Sequence, residues 1–163
     1  MAVTYEPIAT TTLSSNQASV TFSSISGSYT DLVLVTSAKS SAGDAEINMQ
    51  LNDDTGSNYS FTYVGGNGSS ALSGRGSSQT RLAPVEMSDV NYQMGIVNFL
   101  NYSNTTTYKT MLSTRQNLTS GTVFKFVNLW RSTSAITKIY LYNASGANFV
   151  SGSTFSLYGI KAA

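Results

Sequence analysis

The chain has 163 residues, of which 40% are hydrophobic and only 10% are charged; its formal net charge is +1, and it contains neither His nor Cys. Because imidazole and thiol groups supply most nucleophile–base pairs, transition-metal ligands and redox centres, their absence argues against an enzyme and against a bound metal or cofactor. The length favours one domain over residues 1–163, and the low net charge with patterned apolar residues excludes a disordered chain.

The N-terminal part of the chain begins with an extended, Thr-rich segment. We interpret residues 1–13 as an arm that reaches a neighbouring subunit. Residues 18–23 then alternate apolar and hydroxyl side chains, which predicts a half-buried strand. The continuous apolar run 32–35, within 31–37, predicts a second strand that is covered on both faces.

The next two predicted strands are separated by a cluster of turn residues. Residues 45–52 alternate apolar and polar side chains, and the aromatic residues of 59–63 alternate with smaller polar ones. The segment 53–58 between them contains Asp, Gly, Ser and Asn, whose side chains and backbone freedom favour turns. The pattern predicts a β-hairpin with a longer loop.

The middle of the chain loses this alternation. Residues 65–80 are rich in Gly and Ser, which bury little apolar area, and this composition predicts a surface loop. Residues 84–92 have no strand pattern and are expected to form at most a short turn of helix.

Strand patterns return in the second half of the chain. Together with the four earlier strands they predict an all-β, single-domain antiparallel β-sandwich, jelly-roll-like, with about eight or nine strands. These later strands are expected at 96–100, 108–112, 123–130, 136–142 and 154–160.

Four tyrosines and one arginine are candidates for contact with a partner or a glycan. Tyr side chains are common at protein interfaces and also in the half-buried rims of β-sandwiches, so packing, a protein interface and glycan stacking all remain open for them. The candidate contact residues are Tyr59, Tyr63, Arg75, Tyr140 and Tyr142.

The charges and the N-terminus bear on partners and location. The basic residues of the second half are separated singly and form no run, so nucleic-acid binding is not expected. Residues 1–4 lack the basic region of a signal peptide, and no apolar run has the length of a membrane helix. We therefore expect a protein made in a cytoplasm, with no membrane partner.

Several segments together resemble small all-β virion structural proteins of tailed bacteriophages, and the resemblance runs over nearly the whole chain. None of these segments contains a functional motif, so the resemblance assigns no site residues. The segments are 29–35, 54–60, 101–106, 129–137 and 152–160.

The resemblance implies a virion component, assembled in the cytoplasm of the bacterial host. One expectation is a capsid decoration or cement protein, a homo-oligomer, with a trimer favoured, whose partner is the major capsid protein. The alternative is a tail-associated receptor-binding module that contacts glycan. Abundant Tyr, Ser and Asn with few charges suit broad, hydrogen-bonded contacts and favour the first of these expectations.

Overall fold

Two antiparallel β-sheets pack face to face in the structure, a computed structural model that describes residues 4–117 and 120–161. The wider sheet has eight strands and the smaller has four. In chain order the strands are β1 (Tyr5–Thr12), β2 (Ser19–Phe22), β3 (Asp31–Ala38), β4 (Ala45–Leu51), β5 (Tyr59–Gly66), β6 (Ala71–Gln79), β7 (Leu82–Met87), β8 (Gln93–Leu100), β9 (Lys109–Asn117), β10 (Thr122–Trp130), β11 (Ile139–Asn143) and β12 (Thr154–Ile160).

The chain crosses repeatedly between the two sheets. The wider sheet has the order β1-β12-β3-β8-β9-β10-β5-β6, and the smaller has the order β2-β11-β4-β7. No two neighbours in the smaller sheet are consecutive in sequence, so each of its strands is reached by a crossover. The predicted all-β, jelly-roll-like antiparallel sandwich is therefore confirmed, with twelve strands among the described residues in place of eight or nine.

One hydrophobic core lies between the sheets. It is formed by the inward-facing residues that the strand alternation supplies, such as Leu34 and Val97 from the wider sheet and Met49 and Leu141 from the smaller. Strand β7, at one edge of the smaller sheet, packs mainly against β8 and β9. Strands β10, β5 and β6 of the wider sheet therefore extend beyond that edge and leave part of their inner face uncovered.

The predicted N-terminal arm is wrong for the residues that the structure describes. Residues 5–12 form β1, which pairs antiparallel with β12 of the same chain; Thr10, for example, is opposite Ser156. A Thr-rich segment with one Pro suits an edge strand, because Pro7 lacks a backbone donor for a second partner strand. Residues 1–3 of the predicted arm lie outside the described residues.

The prediction of a surface loop over 65–80 is also wrong. Residues 65 and 66 end β5, a short turn follows, and residues 71–79 form β6, which pairs with β5. Glycine is usually unfavourable in a strand because it has no side chain to pack. Here Gly74 is opposite Tyr63 and Gly76 is opposite Phe61, and the aromatic rings cover the positions that side chains would occupy.

The predicted hairpin between 45–52 and 59–63 does not form. Strand β4 belongs to the smaller sheet and β5 to the wider one, so the intervening loop crosses the sandwich. The carboxylate of Asp54 organises this loop: it accepts hydrogen bonds from Trp130 Nε1 at 2.7 Å, from the backbone N–H of Gly56 at 2.8 Å and from the side-chain amide of Asn58. Residues 84–92 likewise contain no helix; residues 82–87 form strand β7.

Candidate functional site

The outer face of the wider sheet is unusually apolar. Along β8 and β10, most of the residues that alternate with the core residues are hydrophobic and face outward, whereas on β9 only Leu112 is hydrophobic. Leu112 of β9 lies directly opposite Val127 of β10. Ile96, on the neighbouring strand β8, lies opposite Thr114, two residues along β9 from Leu112. The exposed hydrophobic residues of this outer face have 39–60% of their surface accessible and are Val64, Met94, Ile96, Leu100, Leu112, Val123 and Val127.

The charges on this outer face are few: the cations Lys125 and Arg75 and, at the start of β3, the anion Asp31. Lys125 lies between Thr114 and Val64 in the strand register, and its ammonium donates a hydrogen bond to the Thr114 hydroxyl at 2.5 Å. Arg75, on β6, lies opposite Thr62 of β5 and is exposed. Soluble proteins rarely leave many large hydrophobic side chains exposed on one sheet face unless that face binds something. The outer face therefore has the character of an interaction surface.

A second candidate site is a groove on the other side of the same strands. The inner-face residues of β5 and β10 that extend beyond β7 are aromatic, and their rings contact one another. The Tyr63 ring lies 5.1 Å from that of Phe126 and 5.3 Å, edge-on, from that of Phe124, measured between centroids. The Phe61 ring lies 5.7 Å from that of Phe126. These four rings form the floor of a groove of about 310 Å³, which we call the aromatic groove.

The rim of the aromatic groove is polar. Arg115, from β9, is held by two carboxylates of the smaller sheet: its Nη1 lies 2.5 Å from Glu46 and its Nε lies 2.6 Å from Glu86. Burial alone would lower the pKa of Arg115, but the two carboxylates outweigh burial and raise it, so the guanidinium stays charged. The same guanidinium lies 5.8 Å from the centroid of the Phe126 ring.

The opposite wall of the groove is formed by the segment that leads into and along β7. Arg81 is exposed at this wall, and Ala83 and Gln79 complete the lining. Among the described residues, Arg81 forms no ion pair, in contrast to Arg115. The groove thus combines an aromatic floor with two cations at its rim, Arg115, which is ion-paired, and Arg81, which forms no ion pair among the described residues.

The structure separates the five candidate contact residues into different places. Tyr59 is fully buried in the core, where its hydroxyl donates to the Asp54 carbonyl at 2.9 Å and burial raises its pKa to about 12. The prediction that Tyr59 contacts a partner is therefore wrong. Tyr63 is half-buried and lines the aromatic groove, whereas Arg75 lies on the outer face.

The remaining two candidates lie on the exposed side of the smaller sheet. Tyr140 and Tyr142 project from β11 away from the core, and their rings stack with centroids 5.3 Å apart. Their cross-strand neighbours are the polar residues Gln50 and Asn48 of β4. This pair is thus remote from both the aromatic groove and the outer face of the wider sheet, and its proposed contact with a partner or glycan stays a prediction.

Sequence reasoning missed most of the aromatic groove. The alternation that places Phe61 on the same face as Tyr63 was visible, and so was the alternation of Phe124 with Phe126. Their meeting with Arg81 and Ala83 depends on strand pairing and on the position of β7, which the sequence pattern does not contain. Among residues 4–117 and 120–161, no group of three or more acidic side chains lies close enough to hold a metal ion, and no helix is long and apolar enough to cross a membrane.

Comparison with known proteins yields only distant structural likenesses. No protein-family model and no curated protein matches the chain. A Caenorhabditis elegans galectin is 9% identical and aligns over 94% of this chain and 96% of its own, with a TM-score of 0.36. A toad ovary galectin solved with thio-digalactose is 12% identical over 86% and 98%, with a TM-score of 0.32. A Shewanella oneidensis protein of unknown function is 8% identical over 100% and 82%, with a TM-score of 0.22. These TM-scores are too low to carry an argument about function.

Proposed function

We propose that this chain is a non-enzymatic structural protein of a bacteriophage virion, a capsid decoration or cement protein that binds the shell. In this proposal the outer face of the wider sheet contacts the major capsid protein, and copies of the chain associate with one another, as a trimer in the simplest case. The segments that resemble phage virion proteins suggest this context.

The observation that supports the proposal best is the exposed apolar outer face. Burying hydrophobic area contributes roughly 25 cal/mol per Å², so a face with side chains such as Leu112 and Val127 open to water gains free energy when a partner covers it. The two cations Lys125 and Arg75 on this face would favour a shell surface that is apolar with an acidic border. A flat sheet face of this kind suits a wide contact with a lattice.

The experiment that tests this function is a count of copies per purified particle, by quantitative mass spectrometry against the major capsid protein. A decoration protein should be present at a copy number comparable with that of the capsid subunits, because it follows the symmetry of the shell. Absence of the chain from washed particles would overturn the proposal.

A second candidate function, a receptor-binding module on the tail, is favoured by a different observation. The aromatic groove combines rings with charged side chains at its rim, as small-ligand sites do. A tail location predicts only a few copies per particle, close to the number of tail fibres or of tail subunits in one ring. The same mass-spectrometric count therefore separates the two functions.

A further inference from the structure

We propose that the aromatic groove binds one residue of an acidic glycan, a pyranose sugar that carries a carboxylate. The apolar face of the sugar ring would lie on the half-buried rings of Phe61 and Tyr63 in the groove floor, and its carboxylate would pair with Arg81 at the mouth. This proposal deepens the second candidate function, which uses the same groove, and does not rest on the decoration function, because the groove and the outer face lie on opposite sides of the same strands.

The aromatic groove is left open by a small side chain. Ala83, the residue of β7 that faces the rings, is small, and its methyl group leaves about 310 Å³ unfilled beside half-buried aromatic side chains. Protein interiors ordinarily fill such space with a larger side chain. Ligand pockets start at about 300 Å³, so the groove has the size of a small ligand site.

The floor of the groove is shaped by two glycines of β6. The rings of Tyr63 and Phe61 lean over Gly74 and Gly76 of β6: a Cβ atom at these glycines would lie 2.7 Å from Tyr63 and 2.6 Å from Phe61. The glycines let the rings lie close to the backbone, so that ring surface remains available on the groove side. Ring faces carry negative potential and attract the slightly positive C–H groups on the apolar side of a pyranose.

Polar groups on the groove lining favour a sugar over a purely apolar ligand. Glu46, paired with Arg115 through one oxygen, keeps acceptor capacity; Gln79, whose side-chain amide donates one hydrogen bond to the Ser77 carbonyl, keeps an N–H and its carbonyl oxygen, and both residues are on the groove lining. An apolar ligand would desolvate these groups without pairing them, which costs free energy. Sugar hydroxyls both donate and accept and can pair with either kind of group. A rigid ring with an apolar face and a polar circumference therefore fits this lining.

The exposed Arg81 favours a sugar with a negative charge. The carboxylates of Glu46 and Glu86 are both engaged by Arg115, so the positive charge of Arg81 is left without an ion-pair partner in the part of the chain that the structure describes. A guanidinium matches a carboxylate with two parallel hydrogen bonds. An acidic sugar places such a carboxylate on the edge of the ring, where Arg81 can reach it from the groove mouth.

The test compares methyl β-glucuronide with methyl β-glucoside, which differ only at C6, a carboxylate in the first and a CH2OH group in the second. Both are used as millimolar ligands in saturation-transfer and titration NMR on the full chain. We expect the glucuronide to bind at least about tenfold more tightly, the factor that corresponds to 1.4 kcal/mol. Arg81→Gln should bring the ratio of the two affinities close to one. The matched control, Arg75→Gln on the outer face, should leave both affinities unchanged.

A second variant tests the location independently of charge. Ala83→Leu fills the groove and should weaken both ligands at least about tenfold, with thermal unfolding and near-UV circular dichroism used to verify that the variant is folded. If neither methyl glycoside binds the wild-type chain, or if Arg81→Gln and a folded Ala83→Leu both leave binding unchanged, the proposal is wrong. Equal affinity for the two glycosides would overturn the assignment of an acidic sugar. Each of these results leaves the copy number per particle, and hence the proposed function, untouched.

Discussion

At the scale of single residues, Asp54 shows how one carboxylate fixes the course of the chain. Burial alone would raise the pKa of Asp54, but hydrogen bonds from Trp130, Asn58 and the Gly56 backbone outweigh burial and lower it. The pKa of the folded state thus lies below that of the unfolded chain. The resulting stability is fully present above the unfolded pKa and is lost as the pH falls through the folded pKa.

We predict that Asp54→Asn lowers the free energy of unfolding at neutral pH by about 1–3 kcal/mol, because the substitution removes a charged acceptor from several donors at once. The difference from wild type should narrow in acid, below the ordinary pKa of an aspartate. Urea unfolding followed by far-UV circular dichroism at several pH values measures both effects.

The neighbouring residue provides a matched control for this substitution. Asp53 is exposed and forms a surface ion pair with Lys138 at 2.7 Å, and such pairs contribute little to stability. Its backbone has a φ of 59°, a conformation that Asn adopts readily. Asp53→Asn should therefore be nearly neutral; if it destabilises the fold as much as Asp54→Asn, the role we give to the Asp54 hydrogen bonds is wrong.

At the scale of the elements, β6 shows where sequence patterns succeed and where they fail. Every strand with an apolar or aromatic alternation was predictable, because alternation places one set of side chains in the core. Strand β6 is not detectable from the sequence because its inner positions are Gly74 and Gly76, and the rings that fill them belong to β5. Strand β1 is not detectable because its hydroxyl side chains give no apolar alternation, and β7 is not detectable because Pro84 interrupts the pattern of an edge strand.

The pairing of strands was less predictable than their existence. Nothing in the segments 45–52 and 59–63 reveals that they enter different sheets, because their alternation is the same for a hairpin and for a crossover. The buried Tyr59 and the carboxylate of Asp54 both contact Trp130, a residue far away in sequence: its ring stacks on that of Tyr59, and its Nε1 donates to Asp54. For the same reason the aromatic groove, whose lining comes from six strands, could not be assembled from local patterns.

A pair of adjacent glycines tests the strand assignment of 65–80. A Cβ at Gly65 would lie 2.4 Å from the Val123 carbonyl oxygen and 2.3 Å from the Phe124 ring, whereas at Gly66 the nearest atom lies at 3.4 Å. We predict that Gly65→Ala lowers the free energy of unfolding by about 1–3 kcal/mol, since overpacking against backbone forces the strands apart. Gly66→Ala should change it by less than about 0.5 kcal/mol. Equal, small effects in thermal or urea unfolding would support a loop and contradict the β5–β10 pairing.

At the scale of the whole molecule, the sandwich presents two unlike surfaces on opposite sides of one sheet. The outer face is broad, apolar and weakly positive, whereas the aromatic groove is narrow and has a polar rim. Strand β6 also leaves one edge of the wider sheet without a partner strand in the described residues. Exposed edges favour pairing with another chain, so association between copies would protect this edge from aggregation.

The measurement that tests the central claim most directly is the binding of purified chain to phage particles that lack it. Wild type and Val90→Glu, a control at an exposed hydrophobic residue outside the strands, between β7 and β8, should saturate the particles equally. Val127→Glu, which places a charge at the centre of the outer face, should bind at least about tenfold more weakly, because the contact would bury that charge without a partner. If a folded Val127→Glu binds as tightly as wild type, the outer face of the wider sheet is not the surface that contacts the shell.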